Sequence, residues 1–310
     1  MKIEFDYVAH QYEGRKVIFA LSSELSDTYT SGLRRSLPVQ TYLGYVLRRA
    51  KQMGRSIKVA DFGANVGVVS LPLAAHGLQL LAVEALPANF AALSTAARIN
   101  GFRNLRPINM AALDEIGVAT VTGFSAWGGA RVKDEGGTTP CDTLTHILEI
   151  YDFAEVEIIK IDIEGAELPA LAGAEEFLRE RPETEVIFES NNHTCQLFGY
   201  DRQDLLRRFE QWGFRGYVFR AEGLMPVRAE DPQPVPVVDI LATRRTAAVL
   251  EQQGERIVPL TDDYIVQELM RISKSENPHI RKHFVTEAGR VSDSVRRSPH
   301  WPKIASAVGG

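Results

Sequence analysis

The chain has 310 residues, a formal net charge of −5 and 45% apolar side chains. This composition fits a globular protein with a sizeable core, and its mild acidity argues against a dedicated nucleic-acid binder, which carries a strong basic excess. Its two cysteines, Cys141 and Cys195, are too few for a disulfide framework or for a zinc site, so we expect a reducing cytoplasm. No apolar run approaches the roughly 20 residues of a membrane span, and we expect none.

The N-terminal segment predicts a hairpin followed by a helix. Polar and apolar residues alternate over 2–8, a turn is expected at Glu13 and Gly14, and a second strand is expected over 16–20. Residues 40–53 place apolar side chains at helical spacing and end in cations that suit the helix dipole.

From Ile57 onward, short apolar strands alternate with helices, which is the pattern of βαβ units around a parallel sheet. Beyond Thr243 we expect one helix, over 262–275, and a polar, basic tail. Strands are predicted over 57–61, 80–84, 105–111, 118–124, 156–163, 185–189, 214–219 and 235–241, and helices over 66–76, 87–100, 142–150, 167–181 and 201–211.

The first βα turn reads VADFGANVGVVS, over Val59–Ser70, and indicates a ligand site. In open α/β sheets, ligands bind beyond the carboxyl ends of the strands. Gly63 and Gly67 leave the dinucleotide motif Gly-x-Gly-x-x-Gly without its middle glycine. The carboxylate of Asp61 would repel a pyrophosphate but would attract the cationic amino-acid part of S-adenosylmethionine (SAM). We therefore assign Asp61, Gly63, Asn65 and Gly67 to SAM rather than to a nicotinamide dinucleotide.

Two further stretches fit a nucleoside. Glu84 ends the second core strand, where one carboxylate can accept both ribose hydroxyls, and Asn89 on the next helix can reinforce that contact. The small residues Ala111 and Ala112 leave room for an adenine slot, although tight helix–sheet packing explains them equally well.

The stretch KIDIEGAE, over 160–167, places three carboxylates within six residues at the same sheet edge. Such acids repel one another unless a cation, a hydrogen-bond donor or a raised pKa relieves them. Asp162 and Glu164 share one face if the strand continues to them. Glu167 suits either a functional role or the first turn of the following helix.

Together, four stretches resemble the FkbM-type SAM-dependent methyltransferases. The resemblance covers about Ile57 to Asn191, and its motifs are specific in combination rather than singly. The four stretches are DFGANVG over 61–67, VEALPANF over 83–90, CDTL over 141–144 and KIDIEGAE over 160–167.

The resemblance implies a class I methyltransferase fold, a Rossmann-like, seven-stranded, mostly parallel sheet with helices on both faces and an antiparallel last strand. It also implies O-methylation of a hydroxyl on a saccharide or natural-product acceptor. We predict an N-terminal hairpin and helix extension over 1–54, a SAM-binding domain over 55–245 and a helical, basic appendage over 246–310.

A general base would help to deprotonate such a hydroxyl. We take Asp162, Glu164, Glu189 and His193 as the catalytic candidates, with Asp162 also counted among the cofactor-binding residues. Asp162, Glu189 and Asn191 offer oxygen ligands for a divalent cation, but we expect no metal. Two rival functions stay open: a nicotinamide-dependent oxidoreductase and a noncatalytic SAM-binding protein.

Overall fold

In a computed structural model, the protein is described at residues 4–22, 37–122, 131–133 and 138–309. The chain divides into two compact units, Met1–Phe188 and Glu189–Gly310. The boundary between them falls inside a strand, and the three predicted domains remain a prediction. The predicted residues 2–3 and 123–124, at the ends of two expected strands, lie outside the described ranges.

The first unit alternates strands and helices after an initial hairpin. Its strands are β1 (Phe5–Tyr12), β2 (Arg15–Ser22), β3 (Lys58–Phe62), β4 (Gln79–Glu84), β5 (Leu105–Asn109), β6 (Ala111–Leu113), β7 (Gly117–Thr122), β8 (Arg131–Lys133), β9 (Thr139–Thr143), β10 (Ile158–Ile161) and the start of β11 (Glu185–Asn191). Its helices are α1 (Leu37–Met53), α2 (Ser70–Ala75), α3 (Pro87–Ile99), α4 (Leu144–Ile150), α5 (Glu167–Ala170) and α6 (Ala174–Glu180).

A parallel sheet in the order β11-β10-β3-β4-β5 forms the centre of this unit. The chain runs from β3 outward to β5 on one side and from β10 to β11 on the other, so the strand order reverses between β3 and β10. Nearly every side chain of β3, β4 and β10 is buried, as expected for parallel strands covered on both faces. The predicted class of fold is confirmed, and the switch point between β3 and β10 is where such sheets bind ligands.

Several predicted boundaries are wrong. The expected strand 105–111 divides, because β6 pairs with β9 while β5 stays in the parallel sheet. The expected helix 167–181 also divides, because Gly173 adopts a left-handed conformation (φ 76°) at the start of α6. The helix expected over 66–76 begins only at Ser70.

A second sheet in the described part of this unit has the order β6-β9-β7-β8. Strand β9 was not predicted, and it takes residues assigned to the start of the helix at 142. Thr143 caps that helix by accepting a hydrogen bond from the backbone N–H of His146.

The N-terminal hairpin packs on helices of the first unit. Strand β2 lies against α2 and α3. Asn100 at the end of α3 fixes it, because Asn100 Oδ1 accepts from Ile18 N at 2.9 Å and Asn100 Nδ2 donates to Ile18 O at 2.6 Å. The hairpin is therefore bonded to the unit that contains the parallel sheet.

The second unit contains an antiparallel meander and a helical cluster. Strand β12 (Arg215–Arg220) pairs with both β13 (Gly223–Val227) and β14 (Val237–Thr243). Strand β13 was not predicted from the sequence. Its helices are α7 (Asn192–Leu197), α8 (Arg202–Gln211), α9 (Ala247–Gln252), α10 (Asp262–Ile272), α11 (Pro278–Arg290), α12 (Asp293–Arg296) and α13 (Trp301–Gly309).

The C-terminal segment, expected to be a polar, basic tail beyond one helix, folds into helices with a hydrophobic core of their own. Leu269, Phe284, Val295 and Ile304 are buried together with neighbouring aliphatic side chains. Asn277, followed by proline, caps α11 and accepts bonds from the backbone of its first turn. Among the described residues, no helix combines the length and apolar character needed to cross a membrane.

A buried hydrogen bond ties α1 to the parallel sheet, and its removal gives the first prediction. The Tyr45 hydroxyl donates to the carboxylate of Glu185 at 2.9 Å, and both side chains are buried. Tyr45→Phe should lower the free energy of unfolding by about 1–3 kcal/mol, because Glu185 loses a buried donor. Denaturant titration measures the loss.

Tyr7→Phe is the matched control. Tyr7 is 58% exposed on β1, so its change should stay within about 0.5 kcal/mol. Equal losses in the two variants would show that the Tyr45 hydroxyl contributes nothing specific.

Candidate functional site

The turn between β3 and α2 is shaped by two glycines and one asparagine in left-handed conformations. Gly63, Asn65 and Gly67 have φ angles of 81°, 52° and 92°. The backbone N–H groups of Gly63 and Ala64 both donate to Val83 O, and Asn65 Oδ1 accepts from Val66 N. The turn is thus held close over the carboxyl end of β4.

Both glycines are also required by packing. A Cβ on Gly63 would lie 1.8 Å from the carbonyl oxygen of Asp162, and one on Gly67 would lie 2.7 Å from side-chain carbons of Leu71 and Leu93. The predicted assignment of these glycines to a cofactor therefore competes with a structural reason for each of them.

Glu84 links two consecutive βα turns at the end of β4. Its Oε2 accepts from Asn65 N at 2.7 Å, and its Oε1 accepts from Leu86 N at 2.8 Å. Burial raises the pKa of Glu84 to about 7, against the lowering effect of those two hydrogen bonds and a third from the Asn89 side chain. Each carboxylate oxygen keeps a lone pair for a further donor, so ribose hydroxyls remain compatible with this arrangement.

At the switch point, Asp61, Lys160 and Asp162 form a chain of charges. Ser70 Oγ donates to Asp61 Oδ2 at 2.5 Å, and Lys160 Nζ lies 3.8 Å from Asp61 Oδ1. Lys160 Nζ also donates to Asp162 Oδ2 at 2.9 Å. Asp61 is fully buried, whereas the Asp162 side chain is 32% exposed. Burial raises the pKa of Asp61, and the charge of Lys160 opposes that rise.

The turn after β10 does not place the remaining acids as expected. The strand ends at Ile161, before the two acids, and Glu164 has a left-handed φ of 57°. Asp162 and Glu164 therefore do not share a strand face. A non-glycine residue in this conformation stores strain, which is often found beside functional sites. Glu167 is buried, accepts from Ile163 N at 2.9 Å, and has its pKa raised by burial. It therefore supports the loop that leads into α5.

Ala111 and Ala112 are both buried in β6, opposite Cys141 and Asp142 of β9. Asp142 Oδ2 lies 2.6 Å from His146 Nδ1 and its Oδ1 accepts from Thr143 N. This pair fixes the start of α4 beside the two alanines.

The other two catalytic candidates belong to the second unit. Glu189 Oε2 accepts from Asn191 Nδ2 at 3.4 Å. The ring of His193 on α7 lies against that of His279, with 3.8 Å between the ring centroids and a tilt of 37° between the ring planes. In the described part of the chain, no cluster of three or more His, Cys, Asp or Glu is arranged to hold a metal ion.

Lys160 and Ser70 are the site residues that the sequence analysis missed. A single lysine inside the apolar run of β10 is a usable signal, because a buried ammonium needs a partner. Asp61 in the apolar strand β3 is the matching acid, and the parallel register pairs the two residues.

The side chains at the carboxyl edge of the sheet, beside the switch point, suit SAM as a ligand. Glu84 suits a ribose, and the excess of acids over cations among Asp61, Lys160 and Asp162 suits an ammonium group. A parallel sheet whose order reverses beside such acids is an open, doubly wound α/β sheet of the Rossmann type, with its ligand-binding edge at the switch point.

Comparison with known families identifies the particular class. The model of the methyltransferase FkbM domain matches residues 61–215, half of the chain. The chain belongs to the FkbM methyltransferase family. This match confirms the predicted family, the SAM-dependent methyltransferase class of the domain and SAM as its cofactor.

Solved structures give distant similarities. The bifunctional kinase-methyltransferase WbdD is 14% identical, with a TM-score of 0.41, and the match covers 67% of this chain and 39% of WbdD. The Thermus thermophilus 16S rRNA N2 G1207 methyltransferase, in complex with AdoMet and guanosine, is 14% identical (TM-score 0.40; 79% and 52% covered). A SAM-dependent methyltransferase from Agrobacterium tumefaciens is 12% identical (TM-score 0.40; 77% and 71% covered).

The chain thus spans about two fifths of WbdD. A comparison with curated proteins found no match. At these levels of identity, the solved structures do not indicate the methyl acceptor.

Gly63→Ala tests the close approach of the first turn to β10. The new methyl group meets the carbonyl of Asp162. Gly63→Ala should therefore lower the free energy of unfolding by about 1–3 kcal/mol more than a control variant does. Gly77→Ala is the control, since Gly77 has a φ of 85° and nothing within 4 Å of the added Cβ. Denaturant titration of both variants measures the difference, and equal losses would mean that only the backbone angle matters.

Glu84 should make stability depend on pH. Its pKa is about 7 in the folded protein and 4.5 in the reference state, so the folded protein binds this proton more tightly. The stability that results is complete below the reference value and is lost as the pH rises through about 7.

The free energy of unfolding of wild type minus that of Glu84→Gln should therefore fall between about pH 5 and about pH 8. Denaturant titrations at several pH values measure this difference. A difference that stays constant over the range would contradict the raised pKa.

Proposed function

We propose that this chain transfers a methyl group from SAM to a hydroxyl oxygen of a saccharide or small natural-product acceptor. The proposal rests on the FkbM match over 61–215 and is supported by one structural observation. At the switch point, the partly exposed side chain of Asp162 lies beside buried Asp61 and Lys160. A partly exposed acid at this place serves both a cationic donor and an acceptor hydroxyl.

The reaction asks the protein mainly for alignment. An oxygen–carbon bond forms as the carbon–sulfur bond of the donor breaks, and the hydroxyl proton leaves to a base or to water. Holding the two reactants in line can lower the barrier by roughly 7–11 kcal/mol. Glu84 and Asn89 would hold the nucleoside, while Ala111 and Ala112 would border the adenine.

The candidates for the general base that accepts the hydroxyl proton are Asp162, Glu164, Glu189 and His193. Replacing the true base by its amide, or His193 by Gln, should lower turnover about 10²–10⁴-fold. Binding of S-adenosylhomocysteine (SAH) should stay unchanged if the base is Glu164, Glu189 or His193, whereas Asp162→Asn should weaken it as well, because Asp162 is also assigned to the cofactor. Steady-state kinetics and calorimetry on the four variants make this distinction. Full turnover in all four would leave positioning alone as the source of the rate.

The acceptor class is tested by a matched set of compounds. Free hydroxyl acceptors should yield SAH and a methylated product whose mass is greater by CH₂, whereas the same compounds with that hydroxyl removed should yield neither. Mass spectrometry detects both products. SAH binding without turnover on any hydroxyl compound would favour the noncatalytic SAM-binding alternative.

Two further points belong to this proposal. We expect no metal, so a chelator should leave turnover intact. A loss of turnover that Mg²⁺ restores would contradict this expectation and would point to Asp162, Glu189 and Asn191 as oxygen ligands. Cys141 and Cys195 are buried and form no disulfide, which agrees with a reducing cytoplasm.

A further inference from the structure

Lys160 occupies a position that core packing does not explain. It lies in β10 among the buried residues Ile158, Ile159 and Ile161, and its own side chain is only 5% exposed. A buried ammonium group is costly unless it is paired with acids and hydrogen-bonded. Its place in the strand is therefore set by its partners.

Two carboxylate partners of Lys160, Asp61 and Asp162, differ in what they can reach. Asp61 is fully buried, and its Oδ1 accepts no hydrogen bond within the described structure, with Lys160 Nζ 3.8 Å away. Asp162 accepts directly from Lys160 and keeps about a third of its side chain exposed. Of these two carboxylates, Asp162 alone can touch a ligand in the crevice without a change in the fold.

The backbone keeps this arrangement rigid. Lys160 is the register partner of Asp61, and Asp162 N donates to Phe62 O at 3.0 Å. The carbonyl of Asp162 lies directly against Gly63. The two turns on either side of the switch point are thus locked together with the lysine between them.

We propose that Lys160 is a positioning residue, which orients the carboxylate of Asp162 toward the ammonium group of the methyl donor, and that Asp61 acts through Lys160. This inference rests on the proposed function for the identity of the donor. Two carboxylates against one ammonium group leave one negative charge in excess when all three are ionised. That excess suits the cationic group of the donor at the exposed end of the chain.

The test is a double-mutant cycle on SAH affinity, measured by calorimetry on the full chain. Lys160→Met should weaken SAH binding about tenfold, the scale of one lost charge-assisted hydrogen bond. In an Asp162→Asn background the same change should cost less than about twofold, because the residue through which Lys160 acts is already altered. Lys160→Arg, which keeps the cation, should restore part of the affinity.

Lys58→Met is the matched control. Lys58 lies at the opposite end of β3, its side chain is about a third exposed, and it donates to Asp152 O. The Lys58→Met variant should leave SAH affinity unchanged. It shows how much the removal of any lysine from these strands alters SAH binding.

Equal losses for Lys160→Met in the two backgrounds would make Lys160 a structural residue and overturn the proposal. So would failure of both Lys160→Met and Lys160→Gln to fold. SAH binding to wild type with no effect of Lys160→Met overturns this inference alone. Absence of SAH binding to wild type overturns the proposed function.

Discussion

The ion pair between Asp61 and Lys160 is the interaction on which the crevice depends. The two residues face each other across β3 and β10, where the strand order reverses, and both are buried. Removing one member of such a pair leaves an uncompensated buried charge, a loss of about 3–5 kcal/mol. The pair therefore fixes the register of the two central strands and sets the charge at the mouth of the site.

The first turn and Glu84 extend this constraint across the sheet edge. Gly63 lets the turn approach Asp162, while Glu84 binds the backbone of the turn and of the segment before α3. The same residues thus serve the fold and the ligand. The glycines and acids that shape the turn are also those of the cofactor motif. The motif in the sequence therefore predicts the turn and the ligand site together.

The central strands and the acids at their ends could be predicted from the sequence. Apolar runs such as Ile158–Ile161, followed by polar residues, show where a parallel strand ends. The depth of each acid could not be predicted, because the burial of Asp61 depends on Lys160, a residue far away in the chain. Glu164 shows the same limit: its left-handed φ of 57° lies outside the strand periodicity from which its position beside Asp162 was predicted.

Of the C-terminal helices, only α10 was placed from the sequence, and the others were missed for a different physical reason. Their polar faces dominate the local composition, and the apolar residues that matter, such as Leu269 and Phe284, meet only across separate helices. Short helices take most of their stability from such tertiary packing, so local propensity underestimates them. Strand β13 was not predicted because it contains Pro226, and a proline argues against a strand.

A crystal structure with SAH would test the central claim most directly. The account predicts that SAH lies in the crevice of the first unit, with its ribose on Glu84, its ammonium group beside Asp162, and Asp61 out of contact behind Lys160. SAH bound elsewhere, or with its ammonium group directly on Asp61, would contradict it.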